Sequence, residues 1–444
     1  KDRGLEVIQD DAYNVVIKKA GSRGAEDHAP VMLQGHMDMV CEKRAGVEHD
    51  FEKDGLDLII RDGRLTANGT TLGGDNGVAV ALMLMVLDDD EIEHPPVECV
   101  FTTEEEVGLN GAKALDKSVL KARTMINMDS EDEGVATVSC AGGLRVQFTK
   151  EIQRTTVQGS LLTLKVEGLL GGHSGQDIDK ERQNADLLMA RMIQRLLKET
   201  KGQLVSFNGG TKDNAIPREC EASLIYESDE EAAKAEELAC ELAETYAEEL
   251  TPAEPDFSCE ISCETNRTAE AIPQDAAKEF ICAMRLAPNG IQKRNIKMDG
   301  FVVVSLNLGV VRTEEDRIVM IFSPRSSVAS LQEDTKERLN TLAETFGFTV
   351  SHSSEYPGWS FKEDSPVREI CKESYKELFG EDLKIEAIHA GLECGLFSDA
   401  IKGLDAIAIG PTIANCHTPD EYLTLDSFER FYEFLKDILS RLAK

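Results

Sequence analysis

A chain of 444 residues exceeds the size at which one hydrophobic core keeps growing, so two domains are expected. With 41% hydrophobic and 29% charged residues, and no stretch near the ~18 uninterrupted apolar residues of a membrane span, it reads as a soluble globular protein. The formal net charge of -34 argues against nucleic acid and anionic membranes as partners, since both would repel such a surface. Much of that charge lies in amphipathic helical runs such as Ser228–Glu249, which reads as a solvated face; a hypersaline habitat would leave the same mark.

The 11 cysteines are odd in number and scattered, with no CxxC pair, and several fall in apolar or motif segments (Cys99, Cys140, Cys394). That pattern is expected of reduced thiols in a cytoplasmic protein. The spacing of Cys259 and Cys263 supports neither a zinc knuckle nor a bridge. No signal peptide precedes Lys1, and the abrupt opening "KDRGLEVIQDD" suggests a missing N-terminal helix.

In chain order, "YNVVIKK" and "VMLQGHMDMV" predict strands, and "NGVAVALMLMVLDD" predicts a helix after the Gly73–Gly74 turn. "VECVFTTEEE" and "TMINMDS" follow as buried strands. This alternation predicts a mostly parallel sheet covered by helices, with polar motif residues at the strand ends where such sheets bind ligands.

Between about Gly143 and Phe348 the character changes. Strands are expected at Leu161–Glu167, Leu204–Asn208, Ala222–Tyr226 and Asp256–Ser262, with helices at Arg182–Leu197 and Glu230–Glu249. A second pass follows: helix Gln274–Ala283, strands Phe301–Leu308 and Val310–Phe322, helix Leu331–Phe346 and strand Phe348–Ser353. The two passes suggest a duplicated α+β unit; one larger irregular α+β domain would give the same pattern. After Trp359 the α/β character returns with helix "SPVREICKESYKELFG", strands "KIEAIHA" and "LDAIAIG", and a helix over Leu425–Leu442. The expected fold is therefore an α/β catalytic domain (1–142 and 351–444) with a mostly parallel sheet, interrupted by an inserted α+β lid (143–350).

The chemistry lies in the turns. His36-x-Asp38 ends a strand, and strand alternation puts both side chains on one face, so the imidazole could ligate zinc while the carboxylate holds the ring. A histidine merely satisfied at a strand end would look the same. Asp75 follows two glycines at a helix entrance, where it could cap the helix or turn toward a metal. In "FTTEEEVG" three glutamates end a buried-type strand instead of flanking a helix. Adjacent carboxylates near a cation can divide labour, one ligating and the other accepting a proton. Asp129 ends another buried strand, and His417 follows the "GPTIAN" turn. Of only 8 histidines, His36, His173, His389 and His417 sit beside glycine, aspartate or strand ends. No HExxH or local zinc finger exists, so any site is assembled from distant strand ends. His36, Asp75, Glu106, Asp129 and His417 would suffice for two metals if one carboxylate bridges.

The ordered set HMD, GGDNG, EEEVG, NMDSE and CHTPDE resembles the co-catalytic dizinc peptidases of the aminoacylase and glutamate carboxypeptidase type. "GLLGGHSG", "DNAIPR", "SLNLGVV", "PRSS", "YPGW" and "HAGLECGLF" are similar to the aminoacyl-histidine dipeptidase branch. The resemblance runs from about His36 to the C-terminus. It implies that Asp75 bridges two Zn2+, with His36 and Asp129 on one and Glu106 and His417 on the other; Co2+ or Mn2+ are possible substitutes. It also implies that Glu105 is the general base and later the acid, that Asp38 orients His36, and that the Asp75–Asn76 bond is cis. His173 would stabilise the oxyanion, and Asn214, Arg325 and the Gly391 backbone would hold substrate. Glu104 stands where members often have aspartate, which opens a one-residue shift between base and ligand; the following Val107–Gly108 fixes the assignment. The implied activity is hydrolysis of dipeptides, including Xaa-His, on a small peptide substrate, with a homodimer possible. Tripeptidase or N-acyl-amino-acid deacylase activity on the same scaffold is the alternative. A non-catalytic metal- or peptide-binding protein is argued against by Glu105 beside Glu106.

Overall fold

The computed structural model describes residues 3–296 and 300–444. The opening Lys1 and Asp2 of the abrupt N-terminus lie outside them. The chain divides into two compact units, Lys1–Cys140 with Pro357–Lys444, and Ala141–Tyr356.

The first part of the discontinuous unit runs β1 (Glu6–Gln9), β2 (Val15–Lys19), β3 (Val31–His36), β4 (Leu58–Arg61), β5 (Arg64–Ala67), α1 (Gly74–Asp88), β6 (Val97–Thr102), α2 (Asn110–Ala114), β7 (Thr124–Asn127) and β8 (Val135–Cys140). The inserted unit follows: β9 (Gly142–Glu151), β10 (Thr155–Glu167), β11 (Gly172–His173), α3 (Ala185–Glu199), β12 (Gln203–Gly209), β13 (Ala215–Ile216), β14 (Cys220–Tyr226), α4 (Asp229–Leu250), β15 (Ser258–Ala271), α5 (Gln274–Leu286), β16 (Gly290–Arg294), β17 (Val302–Thr313), β18 (Arg317–Ser326), α6 (Ala329–Thr345) and β19 (Thr349–Tyr356). The chain then returns with α7 (Pro366–Phe379), β20 (Lys384–Ile388), α8 (Glu393–Ala400), β21 (Asp405–Ala408), β22 (Ile413–Ala414), β23 (Tyr422–Thr424) and α9 (Leu425–Leu442).

In the discontinuous unit an eight-stranded sheet has the order β1-β2-β6-β3-β7-β21-β8-β20. The central run β6-β3-β7-β21 is parallel, as is β8-β20, while β1, β2 and the β21–β8 contact are antiparallel. β3 and β6 are buried at every residue, the near-continuous apolar signature of strands covered on both faces. Packing of α1 on β3 is close: a Cβ at Gly35 would lie 2.3 Å from that of Ala79, so only glycine admits the helix here. A smaller four-stranded sheet, β22-β23-β5-β4, carries the His417 turn.

The inserted unit is built on a nine-stranded sheet, β15-β10-β14-β12-β17-β18-β9-β19 with β16 paired to β17. Its order reveals two βαββαβ halves. One is β10-α3-β12-β14-α4-β15; the other is β9, then α5-β17-β18-α6-β19. Numbering strands within each half, the sheet reads 4-1-3-2 and then 2-3-1-4, the ferredoxin-like order twice, joined where Gly209 pairs Val311. The duplication is thus real in topology, but the second half opens with β9, before the first half begins, a strand that is not among the expected ones. Strands predicted as Phe301–Leu308 and Val310–Phe322 are also divided differently: β17 runs unbroken through Gly309 and the reversal falls at Glu314–Asp316. Gly309 marks a register shift in the ladder with β18, and its missing side chain lets the Asp213 carbonyl approach to 2.5 Å of where a Cβ would stand. Helix α4 buries Ala232, Ala235, Ala239, Tyr246 and Leu250 and leaves its acids outward, with Ser228 capping its first turn, as expected of a solvated face. All 11 cysteines are unpaired thiols. No helix of the described residues is long and apolar enough to cross a membrane.

Candidate metal centre and active site

Three parallel strands set the site. His36 is the last residue of β3, Asp129 follows β7 by two residues, and Glu105 and Glu106 follow β6 after a turn, so all arise from the carboxyl edge of β6-β3-β7. His417 follows β22 in a left-handed backbone conformation (φ 64°) that turns its ring back toward this edge. Ligand atoms of His36, Asp75 and Asp129 lie within 4.8 Å of one another, and so do those of Asp75, Glu106 and His417.

Asp75 belongs to both groups. Its Oδ1 lies 3.1 Å from His36 Nε2 and its Oδ2 3.1 Å from His417 Nε2, one oxygen turned to each side. Asp129 Oδ1 is 3.5 Å from His36 Nε2, and Glu106 Oε1 is 2.9 Å from His417 Nε2. The helix-cap alternative for Asp75 fails. Asp75 and Asn76 have non-helical backbone angles, and Asn76 caps α1 by accepting the Ala79 N–H at 3.3 Å. The Asn76 amide also donates to Asp129 Oδ1 at 2.9 Å. The Asp75–Asn76 peptide is cis, as the resemblance implied.

Asp38 sits beyond the strand end, so the alternation argument does not place it. Its backbone carbonyl accepts from His36 Nδ1 at 2.9 Å, while its carboxylate stands 3.5 Å from that nitrogen. A carbonyl can only accept, so one ring proton is fixed on Nδ1 and Nε2 is the nitrogen turned to the carboxylates, the one that would ligate a cation on giving up its proton. The Asp38 carboxylate oxygens accept the Glu105 and Glu106 N–H groups, each at 3.1 Å. Asp38 therefore holds the glutamate turn as well as facing the ring. Glu104 takes a positive φ of 52° and points away to Asn110, which leaves Glu105 beside His36 and Glu106 beside His417.

Electrostatics fit a cation centre. Burial pushes Glu105 up to about 8, helped by Asp129 and Glu393 and opposed by His36. Burial also raises Asp129 and Glu106, with Asp75 adding to both. Burial disfavours charge on His36, yet Asp129, Asp38 and Asp75 around it outweigh that and raise its pKa well above the usual range. The Asp75 contact lifts His417 to about 9. Asp75 itself, despite burial, is held below the ordinary carboxylate range by the two imidazoles. More carboxylate is packed here than two imidazoles can balance, and the mixed oxygen and nitrogen donors suit divalent zinc, cobalt or manganese. The chain thus has a candidate metal site. Its halves differ in access, with the His36 side chain 1% exposed and that of His417 49%.

Sequence reasoning missed the residue that shapes the Asp75 loop. Glu421, 2% exposed, accepts four successive backbone N–H groups, from Leu72, Gly73, Gly74 and Asp75, at 2.7 to 3.2 Å. Its only sequence signal was membership of "CHTPDE".

In the inserted unit, His173 on β11 pairs with Ala215 on β13, and Ser174 N–H donates to the Asn214 carbonyl at 2.8 Å, which brings His173 and Asn214 side by side. His173 Nδ1 accepts the Gly175 and Gln176 N–H groups at 3.2 and 3.0 Å, so a neutral ring carries its proton on Nε2. Burial, then the Arg325 charge, lowers the His173 pKa and favours that neutral form. Arg325 is 7% exposed and donates to the Tyr356 hydroxyl at 3.1 Å. The unassigned "SLNLGVV" segment also finds a use: Asn307 donates to the Asp213 and Ala215 carbonyls at 3.1 and 2.9 Å, gripping the turn that displays Asn214. Gly391 lies in the turn between β20 and α8 of the discontinuous unit.

The chain as a whole is similar to known proteins. The Escherichia coli (strain K12) cytosol non-specific dipeptidase is 35% identical over 100% of this chain and 91% of its own length. The crystal structure of aminoacylhistidine dipeptidase from Vibrio alginolyticus superposes with a TM-score of 0.93 at 36% identity, covering 99% of this chain and 90% of that one. Aminopeptidase PepT from Bacillus cereus shares the fold, with a TM-score of 0.55 at 18% identity over 100% of this chain and 90% of that one. Residues 32–441 match the family model "Peptidase family M20/M25/M40", and the chain is a member of that family.

Proposed function

We propose that this peptidase hydrolyses dipeptides, including Xaa-His, at a centre of two Zn2+. The observation that carries the reading is the division of the Asp75 carboxylate, one oxygen toward the His36 and Asp129 side and one toward the Glu106 and His417 side. Two divalent cations held there would polarise the substrate carbonyl and acidify a water.

The chain's own residues supply the rest. The Glu105 carboxylate, whose burial raises its affinity for a proton, takes one from the attacking water and returns it to the leaving amine. His173 presents a neutral Nε2–H, a donor suited to the negative charge that grows on the carbonyl oxygen, while two backbone N–H groups keep the ring from turning over. Arg325 pairs with the free carboxylate of the substrate, and Asn214 and the Gly391 backbone orient it. Asp38 keeps Glu105 and Glu106 in register through their N–H groups. The free thiols fit a reducing compartment, and the proposed location is the cytoplasm.

The test compares zinc-loaded enzyme on dipeptides, tripeptides and N-acetyl amino acids, beside Glu105→Gln. Dipeptides are expected to be the best substrates, and the variant to lose about 10²–10⁴-fold in kcat while keeping its zinc. Preference for tripeptides or acylated amino acids would replace the substrate assignment, and a fully active Glu105→Gln would remove the base.

A further inference from the structure

Behind the metal centre lies a polar cluster that the reaction does not use. Gln34, Thr102, Asn127 and Glu393 are each 0% exposed, on four different elements of one unit. Glu393, the first residue of α8, accepts from Gln34 Nε2 and, at 2.7 Å, from Thr102 Oγ1 through the same oxygen, Oε2. Gln34 Nε2 also reaches Thr102 Oγ1 at 3.1 Å, and Gln34 Oε1 accepts from Asn127 Nδ2 at 2.7 Å. A carboxylate can only accept here, so it fixes which end of the Gln34 amide faces it. That orientation leaves the Gln34 oxygen for Asn127.

The positions of these residues give the cluster its meaning. Gln34 precedes the ligand His36 by two residues on β3. Thr102 ends β6, just before the Glu105–Glu106 turn, and its carbonyl accepts the Met37 N–H at 2.8 Å. Asn127 ends β7, two residues before Asp129. The backbone ladder sets the register of these strands, and the side-chain bonds add a directional tie at their ends, with Glu393 holding Gln34 and Thr102 directly and Asn127 through Gln34. Burying a carboxylate at 0% exposure, with its other oxygen Oε1 unpartnered, costs stability that an apolar side chain would spare.

We infer that Glu393 is a positioning residue for the metal centre: its buried carboxylate locks together the three strand ends that carry His36, the Glu105–Glu106 turn and Asp129. The inference rests on the two-cation reading of that site. Glu393 also opens the helix that follows Gly391, so the same carboxylate ties the proposed substrate-contacting turn to the ligand edge.

The test measures Zn2+ affinity of metal-free protein by competition with a chromophoric chelator, alongside thermal melting and kcat, for wild type, Glu393→Gln and Glu393→Leu. Glu393→Leu is expected to bind Zn2+ about 10–100-fold more weakly, the usual range when a group supporting a metal ligand is lost. Glu393→Gln keeps an acceptor oxygen for Gln34 and Thr102 and is expected to restore most of that affinity. A Glu393→Leu protein that melts differently but binds Zn2+ as wild type does would overturn the inference, as would Glu393→Gln as impaired as Glu393→Leu. Should Glu393→Leu not fold, Thr102→Val removes one of the two donors, and a smaller loss of affinity is expected; unchanged affinity there counts against the proposal. Wild type that binds no Zn2+ would sink the site reading itself, while normal wild-type binding with unaffected variants would sink only the role of Glu393.

Discussion

The discontinuous unit collects carboxylates at the ends of parallel strands, whereas the inserted unit displays an imidazole, an amide and a guanidinium on the turns and strands of an antiparallel sheet. Both nonetheless fix their groups by the same device, a side-chain carboxylate that accepts backbone N–H groups. Asp38 and Glu421 do this in the first unit. In the second, Asp177 accepts from His173 N–H at 2.8 Å, and Glu254, 2% exposed, holds both ends of the same loop through Leu170 and Gln183 N–H. The difference teaches that topology selects which chemistry is gathered, while precision comes from carboxylate acceptors, three of the four remote in sequence and Asp177 only four residues from His173.

If the first unit is the metal-holding one, its largest vulnerability is the shared carboxylate. Asp75→Asn is expected to lower zinc content, measured by elemental analysis of dialysed protein, and to abolish hydrolysis; full zinc loading would break the division of roles. The inserted unit should fail differently. His173→Ala is expected to cost about 10²–10³-fold in kcat, the usual loss for one oxyanion donor, with zinc content unchanged. Arg325→Met is expected to act mainly on binding, with KM rising by about 10-fold or more and kcat changing less, as for a charge-assisted bond to a carboxylate. A fall in zinc content in either variant would erase the contrast between the units.

The smallest effect concerns stability alone. Asp186, 0% exposed at the start of α3, faces the Cys220 thiol against Gly209, and burial pushes its carboxyl up to about 8, with Cys220 and Arg312 only partly opposing. Its ordinary value is 3.8, so the unfolded chain sheds this proton across a range where the folded chain keeps it. Each rise in pH from about 4 to about 8 therefore favours unfolding through this group, and the penalty levels off above the folded value. Asp186→Asn is expected to gain on wild type by a few kcal/mol as pH goes from 5 to 8, with kcat at pH 7 unaltered. Parallel pH profiles of thermal stability would show the carboxyl to be charged and paired instead.

Much of this was legible in the sequence. Strand-end histidines and carboxylates announced a centre at the sheet edge, and the helix over Leu425–Leu442 was predicted to the residue. Asp75 was ambiguous because a helix entrance explains an aspartate equally well; only the backbone angles transfer the cap to Asn76. Gly309 looked like a strand break because a glycine that admits a neighbouring carbonyl leaves the same mark as one that turns the chain. β9 was readable as a strand, since Leu144, Val146 and Phe148 alternate with polar residues; what the pattern does not express is that it completes the second half of the repeat while preceding the first. The buried network left one clue, a glutamine inside the apolar run "VMLQGH".

The four N–H groups that grip Glu421 belong to residues 346 to 349 positions earlier in the chain. During synthesis the loop bearing Asp75 therefore leaves the ribosome long before the side chain that shapes it exists. Until residue 421 emerges, that stretch has unfilled donors and no reason to hold its final form. The candidate metal site is consequently among the last parts of this chain to be finished, and a nascent chain with most of its fold in place would still lack it.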